Sequence, residues 1–375
     1  MAALVALICA FSNAAPLPAS VLTRTCQALE MGRADIPAMQ TPADEAAARL
    51  AGGGALWVAG QPSMASELCG RAGGLMMARP WHGETPAPGD VVLYVPEPGV
   101  DLPALKETKA LIMAIGPSKE PLAAFSVSNH ATENGLSPTA ANAIPGWVFC
   151  GELVAALTRL GKMPVIYESI GVYTGYERIQ KYKSGQIPFH DDIPVPPPVA
   201  PGVIGNAYID AVSAMLKRIE TEEHANIEKT GQWAREAHAQ GKHLFMYSLG
   251  HIFPDEVAKT DIGRLFKSAV WCAGFSHVPA PEDTYAEGDV AVLIGYQHPA
   301  GALLRRARPA KAKVAYVSLF ADRDFAGDPD VVWTDPMWNW PDGCVEIKGY
   351  DAPLLPASGV VNAAIAWEIY RCAKI

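Results

Sequence analysis

The chain has 375 residues, half of them hydrophobic and 18% charged, with a formal net charge of −9. That composition supplies ample core material and argues against wholesale disorder, while the length exceeds one ordinary core and fits two domains of roughly 150–200 residues. No run of Lys and Arg exceeds two residues. The basic footprint of a nucleic-acid binder is therefore missing, whereas a small anion stays compatible, because local backbone N–H groups hold one on an acidic protein.

Met1 to Phe11 is an uninterrupted apolar run followed by Ser12-Asn13-Ala14-Ala15. It suits a signal-peptide core with a small-residue cleavage site, but no Lys or Arg precedes it and it is too short to span a bilayer. Export and cytosol both stay open, with residues 1–20 set apart as a signal or apolar arm; no other segment reads as a membrane span. The seven cysteines form no C-x-x-C and no zinc spacing, so they read as reduced and structural, and no metal site is expected.

Arg24 to Leu50 reads as two helical pieces broken at Pro37, and Gly52-Gly53-Gly54 turns the chain into a strand at 55–59. A helix over 63–72 ends at Gly73-Gly74. Strands follow at 91–95, 111–115 and 124–127, then a helix over 149–160 and a short strand at 165–167. Residues 184–206 carry six prolines and read as a semi-rigid linker between a first half, 21–183, and a second, 207–375. Tyr208 to Gln240 is the clearest helix: Ile209, Val212, Leu216 and Ile219, then Ile227, Thr230, Ala234 and Ala237, recur at three and four residues. Continuing that stripe by four from Ile219 lands on Glu223. Strands at 244–247, 290–294, 314–320 and 331–333 and a helix over 360–372 complete the chain.

The order repeats. Strand, polar turn, helix, Gly89-Asp90 with its strand, helix and strand recur around Gly288-Asp289. Short apolar strands alternating with helices imply parallel sheets covered on both faces, with ligands beyond the carboxyl ends of the strands.

At those ends the chain resembles the SIS (sugar isomerase) superfamily. The long helix before Gly241-Lys-His-Leu-Phe-Met-Tyr, with Ser248-Leu-Gly-His251-Ile-Phe-Pro-Asp-Glu256, is similar to the first helix, strand and ligand turn of phosphoheptose-isomerase-like proteins. The turn is closest to that of an uncharacterised SIS group, whose C-terminal part Gly161 to Gly171 resembles, and Gly60-Gln-Pro-Ser63-Met-Ala-Ser66-Glu67 is a weaker version of the turn. The resemblance implies an α/β fold of two tandem SIS-like, three-layer αβα (flavodoxin-like) halves with parallel sheets. It also implies a sugar or sugar-phosphate ligand, no cofactor, and pairing of halves within one chain or as a homodimer. The activity it implies is either aldose–ketose isomerisation through an enediol or non-catalytic sugar binding. The Ser/Thr-rich second loop of SIS sugar-phosphate binders is replaced by Tyr94-Val-Pro-Glu-Pro-Gly and Gly295-Tyr-Gln-His-Pro, which lack its hydroxyls.

The residues that fit such chemistry also have plainer explanations. Ser248, Gly250 and His251 suit a ligand turn, where Gly250 lets backbone approach a ligand and His251 titrates near neutrality; a capped turn suits them as well. Ser63 and Ser66 mirror them but also fit a helix start. Glu256 and Glu223 are candidate bases; Glu256 equally complements a helix dipole, and Glu223 a solvated face. Ser128 and His130 end the fourth strand and suit hydroxyl recognition or simple turn chemistry. The main pocket is expected at Ser248–His251, completed by Ser63 and Ser128–His130. No dinucleotide fingerprint, Walker loop, zinc-protease or esterase motif is present.

Overall fold

A computed structural model describes residues 19–97, 103–117, 119–249, 251–271 and 282–374. The apolar run Met1–Phe11 and Gly250 lie outside the described residues. The first half runs α1 (Val21–Ala51), β1 (Leu56–Gly60), α2 (Pro62–Leu68), β2 (Ala78–Pro80), β3 (Val91–Val95), α3 (Pro103–Lys106), β4 (Leu111–Gly116), β5 (Phe125–Ser128), α4 (Ala131–Asn134), α5 (Pro138–Arg159) and α6 (Tyr173–Lys181). The second runs α7 (Val203–Arg218), α8 (His224–Ala239), β6 (Leu244–Ser248), α9 (Phe253–Ala258), α10 (Asp261–Leu265), β7 (Lys267–Val270), β8 (Val290–Ile294), α11 (Gly301–Ala307), β9 (Lys313–Val317), β10 (Val331–Thr334), β11 (Gly343–Val345), β12 (Leu354–Pro356) and α12 (Ser358–Ala373).

Each half builds a five-stranded parallel sheet, in the orders β2-β1-β3-β4-β5 and β7-β6-β8-β9-β10. The two orders are the same permutation, and each reverses direction between its first and third strands, the crevice where such sheets hold ligands. The repeated Gly-Asp explains itself here. Asp90 accepts the backbone N–H of Ala55 (2.8 Å) and Ala87 (2.9 Å). Asp289 accepts those of His243 (2.9 Å) and Ala286 (2.8 Å) in the same way. One carboxylate per half thus ties the starts of two neighbouring strands.

The length suggests one core per half, but the core is continuous. The facing sides of both sheets pack with α1, α5, α7, α8 and α12 into one apolar cluster. The outer faces carry separate clusters, around Tyr94 on the first sheet and around Tyr247 and Trp271 on the second. Helix α5 is long and apolar enough to cross a bilayer by composition, and its most apolar stretch is wholly buried inside the fold.

Four sequence expectations change. Helix α1 is unbroken, with Pro37 and Pro42 inside it, because packing along α5 and α7 outweighs the hydrogen bonds each proline removes. Helix α5 begins eleven residues before the expected 149, with Pro145 and Gly146 buried within it. The long helix at 208–240 is interrupted by a π turn over Ile219–Glu223. The apolar stripe skips eight residues between Ile219 and Ile227 where an α-helix repeats in seven, and a π turn absorbs one extra residue. Val165–Tyr167 forms only isolated bridges, such as Leu75 with Ile166. Among the described residues Cys26, Cys69, Cys150, Cys344 and Cys372 are free thiols.

Candidate functional site

Two clefts lie at the strand ends, one per half, each closed by residues of the other. The first, about 330 Å³, is framed by the turns after β1 (Gln61–Ser63), β3 (Pro96, Glu97) and β4 (Gly116, Pro117), by Asn129, by the start of α5, and by Asp255, Lys259 and Thr260 of the second half. The second, about 250 Å³, is framed by Leu249 and His251 after β6, Tyr296 and Gln297 after β8, and Trp340. Arg71 and the segment from Tyr167 to Gly171 complete it from the first half.

Polar side chains run along one side of the first cleft. A chain of amides runs along it with a fixed direction. Asn129 Oδ1 accepts the N–H of Ala131 (3.1 Å), so its Nδ2 donates to Asn142 Oδ1 (2.7 Å). Asn142 Nδ2 then donates to Gln61 Oε1 (2.9 Å) and Gln61 Nε2 to Thr139 Oγ1 (2.8 Å). The hydroxyls missing from the loop after β3 come instead from Ser63, Ser137, Thr139 and Thr260. The Ser63 side chain is 2% exposed, and its Oγ has no hydrogen-bond partner among the described residues. Such an unmet buried hydroxyl is costly unless something else satisfies it.

Behind this cleft lies Glu256, fully buried. Its Oε1 accepts from the Ser137 hydroxyl and from Trp367 Nε1 (2.5 Å), while Oε2 has no partner among the described residues. Burial pushes its carboxyl up to about 7, against the donors Trp367 and Thr139, which favour the charged form. The arrangement repeats in the other half, where Trp147 Nε1 donates to Glu67 Oε1 at 2.8 Å. Trp147 and Trp367 each stand five residues after an asparagine, Asn142 and Asn362, on the core helix that follows each sheet.

The two core helices differ at their N-termini. On α12 the position is filled from within. Asp342 Oδ1 accepts the N–H of Ser358 (2.9 Å), and its Oδ2 accepts from Ser358 Oγ (2.8 Å), Tyr296 (2.7 Å) and Arg71 (2.8 Å). Burial works against the Arg71 charge, yet Glu67 and Asp342 outweigh it and hold the guanidinium protonated. On α5 no carboxylate among the described residues takes a backbone N–H of the first turn: Ser137 is the N-cap, accepting from Ala140 N while its own hydroxyl donates to the buried Glu256, and the helix start faces the first cleft. The positive end of a 22-residue helix dipole points there.

The residues singled out in the sequence fall in several places. Ser63 lines the first cleft and Glu256 sits behind it. His251 lines the second cleft and, with Ser66, a groove of about 540 Å³ beside Trp81 and His82. Ser66 and His251 meet directly: His251 Nδ1–H donates to the Ser66 carbonyl (2.9 Å), and Ser66 Oγ donates to the carbonyl of His251 (3.3 Å). Burial, and then Arg71, pushes the His251 imidazole down to about 4, so it is neutral at pH 7 with Nε2 as an acceptor. Ser248 is buried at the end of β6. Ser128 Oγ accepts the N–H of His130 (3.1 Å), and His130 Nε2 pairs with Asp35 of α1 at 2.6 Å. Neither frames the clefts. Glu223 lies on the π turn, accepting from Asn226 (2.8 Å), with its carboxyl raised by burial. Gln61, Asn142, Ser137, Thr139 and Arg71 were not legible as site residues in the sequence; the repeated Asn-x4-Trp was a signal for Asn142. Among the described residues no His/Cys/Asp/Glu cluster is arranged to hold a metal ion.

No protein-family model matches the chain, and no curated protein matches it in sequence. Solved structures do. The C-terminal domain of glucosamine-fructose-6-phosphate aminotransferase from Francisella tularensis aligns over 96% of this chain and 97% of its own, at 10% identity and a TM-score of 0.50. A structure assigned as a phosphosugar isomerase from Silicibacter pomeroyi DSS-3 aligns over 94% and 97% at 12% identity with a TM-score of 0.44. The first of these likenesses, with the two matching sheet orders, defines the class: the chain is an α/β protein of the SIS fold. Its two SIS-like halves stand in tandem within one polypeptide.

Proposed function

We propose that the chain binds a sugar phosphate in the first cleft, and that the second cleft has lost that role. The contrast between the two helix starts carries the reading. At α12 an internal carboxylate, Asp342, takes the backbone N–H, hydroxyl and guanidinium contacts that an anion would take. At α5 no carboxylate among the described residues takes a backbone N–H, and the helix start opens onto the first cleft, in which Ser63 Oγ is buried and unmet. Lys259, 63% exposed and 3.4 Å from Asp255, stands at the rim as a cation for the phosphate. Asn129, Asn142, Gln61 and Thr139 offer the paired donors and acceptors that sugar hydroxyls need. The phosphosugar named in the similar Francisella protein supports the ligand class.

A second reading, isomerisation, is favoured by Glu256. A carboxyl near pH 7 with one free oxygen is suited to take a proton from one sugar carbon and return it to the next through an enediol. The repeated Glu67–Trp147 pair gives Glu256 a structural explanation too, so binding is the primary claim. A thermal-shift panel of hexose and heptose phosphates against the parent sugars tests it. A specific ligand at a hundredfold excess over its Kd stabilises by about 2.7 kcal/mol. No shift with any phosphate sugar contradicts the proposal. Deuterium entering C2 of a bound aldose from solvent, lost in Glu256→Gln, decides for the enzyme.

A further inference from the structure

A third cavity, about 340 Å³, lies where the start of α1, the start of α5, the start of α10 and the middle of α12 converge. Its walls are mainly apolar, formed by Val21, Leu136, Pro138, Val360 and Ala364 with the Trp367 ring along one side, and Thr25, Ser137 and Thr260 add hydroxyls. One charged group stands out against them. Arg24 Nη1 donates to the carbonyls of Gly135 (2.9 Å) and Asn134 (3.3 Å). Its Nε is buried without a hydrogen-bond partner, and no carboxylate among the described residues pairs with it. The one acid on the lining, Asp261, is engaged by Arg264 at 2.7 Å and is half exposed.

A guanidinium that retains an unmet N–H at the edge of an apolar chamber fits a specific chemistry. Its donors match a carboxylate. The chamber has room for about ten non-hydrogen atoms at the packing of a liquid, and its walls offer apolar burial and an aromatic face. A sugar fits less well, because the Thr25, Ser137 and Thr260 hydroxyls already donate to the Val21 carbonyl, the Glu256 carboxylate and the Glu256 carbonyl; a purely apolar ligand would leave the Arg24 Nε unmet. We propose that this cavity is a binding site for a small monocarboxylate with an apolar or aromatic body, its carboxylate on Arg24 and its body between Trp367 and α1. The site is distinct from the first cleft but shares Ser137, Pro138 and Thr260 with it. It stands independently of the sugar-phosphate reading.

Phenylacetate is a suitable probe, and phenylacetamide its uncharged counterpart. Calorimetric titration of the full chain, with no sugar phosphate present, should show saturable binding of phenylacetate, with the amide weaker by about tenfold or more. Arg24→Met should weaken phenylacetate by a similar factor and leave the amide unchanged, while Arg24→Lys, which keeps the charge, should recover part of the loss. Absence of saturable binding up to about 10 mM phenylacetate overturns the proposal. So does equal affinity for acid and amide on the parent protein, a comparison that needs no variant to fold. Failure of any sugar phosphate to bind leaves these outcomes unaffected.

Discussion

Arg71 of the first half and Asp342 of the second form an ion pair at 2.8 Å, with side chains 2% and 0% exposed. The pair joins the halves 271 residues apart in sequence, and it does so at the point where the second half fills its own anion position. Removing the cation strands two buried carboxylates, Glu67 and Asp342. Arg71→Met should therefore cost about 3–5 kcal/mol. Adding Asp342→Asn should return part of that loss, because one stranded charge goes with it. Urea unfolding of the single and double variants measures both.

Glu256 predicts a pH dependence of known sign. Its folded pKa, about 7, is raised above the ordinary 4.5. Below 4.5 the carboxyl is neutral in both states and its contribution is complete. As pH rises towards 7 the unfolded chain ionises first, and stability falls by on the order of 3 kcal/mol before levelling. Glu256→Gln keeps an acceptor for Ser137 and Trp367 and removes the titration. The variant should gain stability over the parent at pH 8 and not at pH 4, read from denaturant midpoints.

His251 behaves in the opposite direction. Its folded pKa is about 4, below the ordinary 6.5, so the stability tied to its neutral ring is present above 6.5 and is lost as pH falls towards 4. In a proton NMR titration its ring signals should stay unshifted to pH 5.5 and move only near 4.

The π turn makes a prediction of length. Deleting Glu222 returns the apolar stripe to a seven-residue step between Ile219 and what is now Ile227, so the helix can run through as regular α. Inserting one alanine at the same place pushes α8 out of phase with α12. The deletion should fold with a melting temperature within a few degrees of the parent, roughly a 1 kcal/mol effect; the insertion should not fold stably. Circular dichroism melts distinguish them.

The sequence carried the fold further than the site. Central strands such as 91–95 and 290–294 are continuous apolar runs set off by Gly-Asp, and a chain buried on both faces must read that way. Edge strands β2 and β7 did not show, because Ala78–Pro80 and Lys267–Val270 are short and half exposed. The first eleven residues of α5 were hidden by Pro145 and Gly146, whose local preference yields to burial. The site depends on pairs no spacing reveals: Ser137 with Glu256, Arg71 with Asp342, Ser66 with His251. Ser63 was legible as the counterpart of the Ser248 turn, but the cleft it lines was not.

On the proposed function, a sugar phosphate binds at the first cleft and not at the second. Calorimetric titration of the sugar phosphate that gives the largest thermal shift tests this directly, using the parent, Ser63→Val and His251→Ala. Ser63→Val should lose about tenfold or more in affinity while His251→Ala binds as the parent does. Undiminished binding in Ser63→Val, with the loss confined to His251→Ala, would contradict it and move the site to the second cleft.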